Sequence, residues 1–447
     1  MRFPARPPPF WPIIVNSADL QRILPHVSPV LPDGRYLHWD DLRRRPSPPA
    51  LTSEHWWAAH KVGRMGGRVV VPGFVDERGT PFWFCRLHSI DRATHQLDRR
   101  DAVREMIQAI GDESVRTQYR IDQLIEEAIN SSLVEGAKLT TRALAKAMLR
   151  DGRTPASKGE RMVSNNYQAM NRLLELSGKS LDLDDLLEIH AILGADALDA
   201  PKAEGRLRLA SENVRVEDSA TGETWFTPPP AHELKQRLEA LLAFANQGPD
   251  VDGSFFHPLI RAIILHFWVA YLHPFVDGNG RMARALFYWQ MLRSGYDFAQ
   301  YLSISGPIDR SKRAYYRSFV YTETDDGDLT YFLLNQLAVL SRATDELLHH
   351  LRDRSQRLQE IARALSSSDT LNHRQQAVLS HLVRHPHPGV TITGHSKSHT
   401  VSYLTARKDL QQMVPELLQR RRIGKTDYYV PTEHLLRKLV TESKNSS

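Results

Sequence analysis

The sequence predicts a mainly α-helical protein: a helical bundle interrupted by one β-hairpin, with a small mixed domain before it and a module of short helices and a hairpin after it. Three observations carry that expectation. Apolar residues recur at helical spacing, segment after segment, from about residue 113 to about 360. The spacing lapses once, between Glu204 and Phe226, around a turn-prone stretch. The flanks read differently, with prolines and strand-like runs in residues 1–112 and alternating short helices and basic residues in 361–447.

The 447 residues exceed what one hydrophobic core usually holds, so several domains are expected. An apolar fraction of 41% with 25% charged residues is ordinary for a soluble globular chain and selects no function. The net charge of +6 suits nucleotides, nucleic acid or acidic protein surfaces, and equally a plain solvated surface. Cys85 is the only cysteine, which rules out an intramolecular disulfide and a cysteine zinc site and fits a cytoplasmic location. The N-terminal MRFPARPPPFWP lacks the apolar core of a secretory signal. The most apolar run, Ala262–Leu272, is about half of the roughly 20 residues that span a bilayer, so it reads as a buried helix and no membrane partner is expected.

Taken in order, residues 1–112 contain a hairpin, Arg68–Phe74 and Pro81–Leu87 around the turn Asp76–Gly79, and a tryptophan pair, Trp56 and Trp57, readable as core or as a binding surface. The segment 113–360 forms the bundle. Its first helix, about 119–135, carries Tyr119, Ile121, Leu124, Ile125, Ala128, Ile129, Leu133 and Val134 on one stripe, and Gly136 stops it. Helices follow at Thr140–Leu149, Asn165–Leu176 and Leu183–Leu193, then the exposed hairpin of about 207–226, closed by Pro228, Pro229 and Pro230. A helix over His232–Phe244 leads to the apolar helix opened by His257 and Pro258. Beyond the next segment come Ala285–Leu292, further helices, and a charged connecting helix over Arg342–Arg363.

Between the two most apolar helices lies His273–Arg284, HPFVDGNGRMAR. Gly278 and Gly280 let the backbone approach an anion without a Cβ in the way. The residues after them are strong helix formers, so the turn opens a helix N-terminus whose unpaired N–H groups and dipole favour phosphate. Asp277 can hold Mg²⁺ together with phosphate oxygens. Asn279 can donate to a phosphate. Arg281 and Arg284, three apart, share a helix face and can grip phosphates further along a nucleotide. His273 is the side chain suited to accept a proton near neutral pH.

This string matches the Fic family signature HPFx[D/E]GNGRxxR at every defined position, and the chain resembles that family over roughly 115–340, with the hairpin, the triple proline and Lys312–Arg317 (KRAYYR) adding to the likeness. The resemblance implies a Fic-fold helical bundle whose hairpin is a flap that holds a target segment. It also implies an activity: transfer of AMP from ATP, with Mg²⁺, to a Ser, Thr or Tyr hydroxyl of a protein target or of the chain itself. His273 would be the general base and Asp277 the Mg²⁺ ligand. Gly278, Asn279 and Gly280 would form the anion hole, with Arg281 and Arg284 on the β- and γ-phosphates. Glycine at 280 favours nucleotidyl transfer over the phosphorylation performed by the related Doc branch.

Ser131–Gly136 (SSLVEG) resembles the family's inhibitory pattern, with Ser131 and Glu135 one helical turn apart and Gly136 closing the helix. The implied brake is a Glu135–Arg284 ion pair that occupies the guanidinium needed by ATP. Residues 371–440 resemble a winged helix, with Leu404–Met413 as recognition helix and Arg420–Val430 as wing. Arg407, Lys408, Arg420, Arg421, Arg422 and Lys425 could then meet DNA phosphates, although such modules also dock proteins. Other readings stay open: a DNA-binding regulator whose core senses nucleotide, a different transferred group, AMP removal, and assembly into a homo-oligomer.

Overall fold

The computed structural model describes residues 3–99, 101–111, 113–138, 142–217, 222–251, 253–366, 370–384, 389–423 and 426–432. It divides into two compact units, Met1–Arg99 with Gln123–Thr344, and Arg100–Asp122 with Asp345–Ser447. The principal elements are, in chain order, α1 (Ser53–Met65), β1 (Arg68–Val75), β2 (Pro81–Cys85), α2 (Glu113–Val134), α3 (Lys158–Leu176), α4 (Leu183–Gly194), β3 (Val216–Glu217), β4 (Thr224–Phe226), α5 (Leu234–Asn246), α6 (Pro258–Leu272), α7 (Asn279–Arg293), α8 (Lys312–Thr324) and α9 (Thr330–Ser366). Then follow α10 (His373–Arg384), α11 (Ile392–Ser398), α12 (Tyr403–Gln412), β5 (Leu418–Ile423) and β6 (Thr426–Pro431).

The first unit is built around α6 and α7, which pack against each other. Every residue of α6 except Pro258 and Ala270 is buried, as expected of a helix that is apolar all round. No helix among the described residues is long and apolar enough to cross a membrane. α3 and α4 form a pair, α3 also packs on α7, and α5 lies against α6 and β1. α3 starts seven residues before the expected Asn165, because the Ser157 hydroxyl accepts the Glu160 N–H and caps it there. The start expected at Thr140 for the preceding helix lies outside the described residues; the helix itself runs Arg142–Asp151.

Residues 1–99 group with the bundle, whereas the sequence suggests a boundary at 112. The reason is aromatic and ionic. Phe74 stacks on Trp268 of α6 with centroids 4.4 Å apart, and Phe82 meets the same indole edge-on at 5.3 Å. From α1, Lys61 Nζ and Arg64 reach the Asp325 carboxylate at 2.7 and 3.2 Å, all three side chains being buried. Trp56 and Trp57 are core.

The hairpin is shorter than the expected 207–226. Val216 pairs with Phe226 and Glu217 with Thr224, while Ala210–Glu212 form a 3₁₀ turn ended by Asn213 at φ 44°. Residues 218–221 of its turn lie outside the described residues.

In the second unit the order is helix, a bridge from Val390 to Tyr429, two helices and the antiparallel hairpin β5–β6. Val378, Leu379, Leu382, Leu410, Met413, Leu418 and Tyr429 fill its core. Lys425 and residues 433–440, included in the sequence expectation, lie outside the described residues.

Candidate active site

α6 ends at His273, whose backbone is left-handed at φ 47° and ψ 55°. The chain turns there because Pro274 has no N–H with which to continue the helix. A second left-handed residue, Gly278 at φ 82°, opens α7. The loop between them is held from inside. Asn279 Oδ1 accepts the Phe275 N–H and its Nδ2 donates to the Phe275 carbonyl, both at 2.9 Å. The expectation that the Asn279 side chain donates to phosphate is therefore modified. The amide is buried and staples the loop, so the donors without an intrahelical partner at the start of α7 are backbone N–H groups.

His190 of α4 supports the same loop from beneath. Its ring stacks on Phe275 at 3.7 Å and 4°. Nδ1 accepts the Gly205 N–H at 3.1 Å, which leaves the proton on Nε2 to donate to the Asp277 carbonyl at 3.0 Å. Burial pushes its pKa down to about 4, so the neutral tautomer that makes both bonds is the stable one near neutral pH.

His273 Nδ1 lies 2.9 Å from the Ala270 carbonyl, which can only accept, so Nδ1 carries the proton and Nε2 is the free lone pair. Burial lowers its pKa from the ordinary histidine value, offset in part by the hydrogen bond to Ala270 and by Glu135. Arg281 is buried, donates to the Leu193 carbonyl at 2.8 Å, and lies 3.7 Å from Asp277 Oδ2. Its Nε has no hydrogen-bond partner among the described residues, and its second terminal nitrogen has the Asp277 ion pair but no hydrogen bond. Asp277 is half-exposed and spends Oδ1 on the Gly278 N–H at 2.6 Å, leaving Oδ2 toward solvent.

Glu135, just past the end of α2, reaches into this loop. Its Oε1 accepts from Arg284 at 2.9 Å. Arg284 also donates from Nε to Ser131 Oγ at 2.9 Å and from a terminal nitrogen to the Ser131 carbonyl at 3.0 Å. Burial disfavours the guanidinium charge, but Glu135, Tyr315 and Glu127 more than compensate and raise its pKa. Gly136, at φ 82°, ends the helix so that Glu135 points back along it. Lys312 of α8 donates to the Leu133 carbonyl at 2.8 Å and fixes that helix end. A Cβ on Gly280 would fall 2.3 Å from Glu135 Oε1, so the glycine is what lets the carboxylate sit against the loop.

His273, Gly280 and Glu135 open onto one cavity of 310 Å³, walled on its other sides by Tyr316 and Phe319 of α8 and by Phe226 of the hairpin. Among the described residues no group of three or more His, Cys, Asp or Glu could hold a metal ion. A cation at Asp277 therefore fits only as Mg²⁺ does elsewhere, on one carboxylate with the remaining ligands from phosphate and water.

The structure brings every motif residue predicted from sequence to this loop, and brings Ser131 and Glu135 to it from about 150 positions away. Sequence reasoning missed His190, Arg208, whose Nε donates to the His273 carbonyl at 2.7 Å, and the role of Lys312. A histidine set among Leu186, Ile189, Ile192 and Leu193 of α4 was the one available signal for the first.

A glycine turn here opens a buried helix that carries two buried arginines in its first turns, and a histidine lines the same cavity. Residues 180–291 match the Fic/DOC family model, and the chain contains a Fic domain. It is 30% identical over 214 residues to the protein adenylyltransferase Fic of Nematostella vectensis, covering 45% of each protein. It is 34% identical over 126 residues to the protein adenylyltransferase fic-1 of Caenorhabditis elegans, covering 28% of this chain and 22% of that one. The chain thus spans less than half the length of these curated relatives. A Fic family protein from Desulfovibrio desulfuricans G20 superposes on 77% of this chain and 95% of its own at 19% identity, with a TM-score of 0.48.

Proposed function

We propose that the chain is a protein adenylyltransferase, moving AMP from ATP to a Ser, Thr or Tyr hydroxyl of a protein or of itself, and that Glu135 restrains it. The observation that carries the reading is the shared cavity, lined both by His273, whose Nδ1 is tied to the Ala270 carbonyl, and by Gly280 of the glycine turn. The backbone N–H groups at the start of α7 receive phosphate oxygens, and Arg281 supplies further positive charge. The target hydroxyl gives its proton to His273 Nε2 as its oxygen bonds to the α-phosphorus. The bond from that phosphorus to the bridging oxygen breaks, and pyrophosphate leaves with the electron pair. Mg²⁺ held by Asp277 would neutralise phosphate charge during that exchange. Such transfer rests on positioning and charge, which these residues supply without a covalent nucleophile.

The Arg284–Glu135 bond supports the brake, because the guanidinium suited to the γ-phosphate is already paired. The test is to incubate Glu135→Gly with Mg²⁺ and each α-labelled nucleoside triphosphate and to weigh the products by mass spectrometry. Addition of AMP from ATP, well above the unmutated level, is expected. His273→Ala in the same background should lower transfer by about 10² to 10⁴. No label from any nucleotide would overturn the reading, and a different added mass would replace AMP by the group it identifies.

The element order of the second unit and the exposed Arg407, Lys408, Arg420, Arg421 and Arg422 favour a winged-helix-like module that binds DNA through phosphates. Affinity for duplex DNA that falls steeply with salt supports this. DNA binding together with a transfer-dead Glu135→Gly would make the chain a regulator instead.

A further inference from the structure

Three carbonyls in succession, those of Leu272, His273 and Pro274, close α6 at a place where the backbone is left-handed and proline supplies no N–H. Carbonyls at a helix C-terminus lack intrahelical partners and sit at the negative end of its dipole. One residue serves all three. The Arg208 backbone N–H donates to the Pro274 carbonyl at 2.9 Å, its Nε to that of His273 at 2.7 Å, and a terminal nitrogen to that of Leu272 at 3.4 Å, while the same nitrogen reaches the Pro229 carbonyl.

Arg208 is itself buried, and among the described residues no carboxylate lies within ion-pair distance of it; Glu212 pairs with Arg206 at 2.6 Å and offsets the Arg208 charge only from further away. Neutral donors could satisfy three carbonyls without burying an unneutralised charge, which is unfavourable by itself. The charge therefore calls for a reason, and its neighbour gives one. The strongest charged influences on the His273 ring are Glu135 and Asp277, which favour the protonated form, and Arg208, which opposes it, while Arg215, Glu217 and Glu323 line the same cavity.

We infer that Arg208 is a positioning residue for His273, fixing the left-handed turn that sets the imidazole against the cavity and placing a positive charge beside it. The inference rests on His273 being the proton acceptor of the proposed transfer. It separates two contributions that one side chain supplies, the geometry of the turn and the electrostatics of the ring.

Two variants in the Glu135→Gly background test it. Arg208→Lys keeps the charge and loses the planar fork, so kcat should fall about 10- to 100-fold with the acid limb of the pH–rate profile unmoved. Arg208→Met loses both, so kcat should fall at least as far and the acid limb should move to higher pH. In both, KM for the nucleotide should stay within about threefold, because no uniform binding contact is lost. Unchanged kcat in Arg208→Lys, or a loss confined to KM, overturns the positioning role. A second measurement does not depend on transfer: NMR titration of ¹³C-labelled histidine in the full chain, with His273→Gln assigning the signal. The His273 pKa must rise in Arg208→Met relative to Arg208→Lys; if the two titrate alike, the electrostatic role is wrong even should the parent prove inactive. If Arg208→Met does not fold, comparing Arg208→Lys with its parent decides: kcat lowered with KM retained supports the role, and anything else removes it.

Discussion

Glu135 and Gly280 share one site: the carboxylate oxygen stands 2.3 Å from where a Cβ on Gly280 would be. The absence of a Cβ at Gly280 is what lets the protein's own carboxylate approach the backbone there. Each residue is legible in sequence as part of a separate motif, yet in space they form a single fitted pair. Gly280→Ala should therefore destabilise the unmutated chain by about 1–3 kcal/mol through overpacking. In a Glu135→Gly background it should cost less than half as much. Denaturant midpoints of the four proteins in the cycle give the coupling, and additive effects would show that the two do not compete for space.

Ser131 is the second anchor of the Arg284 guanidinium. Ser131→Ala leaves a buried Nε without its acceptor, at a cost of about 1–3 kcal/mol in stability. Transfer should rise above the unmutated level but stay below that of Glu135→Gly, since the charged partner remains. A Ser131→Ala protein as active as Glu135→Gly would place the brake in the hydroxyl.

The pH profile follows from the direction of the His273 shift. A base must be unprotonated to act, and burial holds this imidazole below the ordinary 6.5. In Glu135→Gly, where a neighbouring negative charge that favours the protonated ring is also gone, the half-maximal point should lie below pH 6.5 and the rate should be level through neutrality. A midpoint above 6.5 would falsify His273 as the base in this environment.

His190 makes a prediction about the loop alone. His190→Leu removes the acceptor for Gly205 and the donor to Asp277 together, and should cost about 1–3 kcal/mol. His190→Gln, whose amide offers an acceptor and a donor, should recover part of the loss. Equal loss in both would reduce the histidine to its stacking on Phe275, and thermal unfolding of the two variants reads the difference.

The ion pairs that tie the N-terminal segment to the bundle are a test of its integration. Lys61→Met leaves Asp325 buried with Arg64 as its remaining cationic partner at short range, for which about 3–5 kcal/mol of destabilisation is expected. A loss under about 1 kcal/mol in urea unfolding would show that the segment is not held there.

How far the sequence could be read depended on the range of the interaction. The turn at Gly278, the helix it opens and the stripe on α2 are local, set by backbone freedom and helical spacing, and they were legible within a few residues. The hairpin of β3 and β4 was legible only as a break in periodicity. Its strands shrank because Glu212 is drawn onto the Leu209 N–H and Arg206, which makes a 3₁₀ turn where strand was expected. The Asn279 staple is also local, yet an amide in a glycine turn serves a ligand and its own backbone equally well on paper. His190 and Arg208 act on carbonyls 87 and 65 residues away, and backbone acceptors carry no mark in a sequence. The packing of the N-terminal hairpin on the bundle was illegible for the same reason, since nothing near Phe74 announces that its partner is Trp268.

The carboxylate of Glu135 is held from two sides, by Arg284 directly and by Lys312 through the end of the helix that carries it. Under the proposed reading, a nucleotide that must displace it meets a protein whose competent form is a minority, so its apparent affinity weakens by that fraction. Every 1.4 kcal/mol in those anchors raises the half-saturating nucleotide concentration about tenfold. Linkage makes the relation mutual, and bound nucleotide loosens the anchors by the same amount. The seat would then work as a threshold, silent while the nucleotide pool is low and responsive once supply exceeds a level written into two hydrogen bonds.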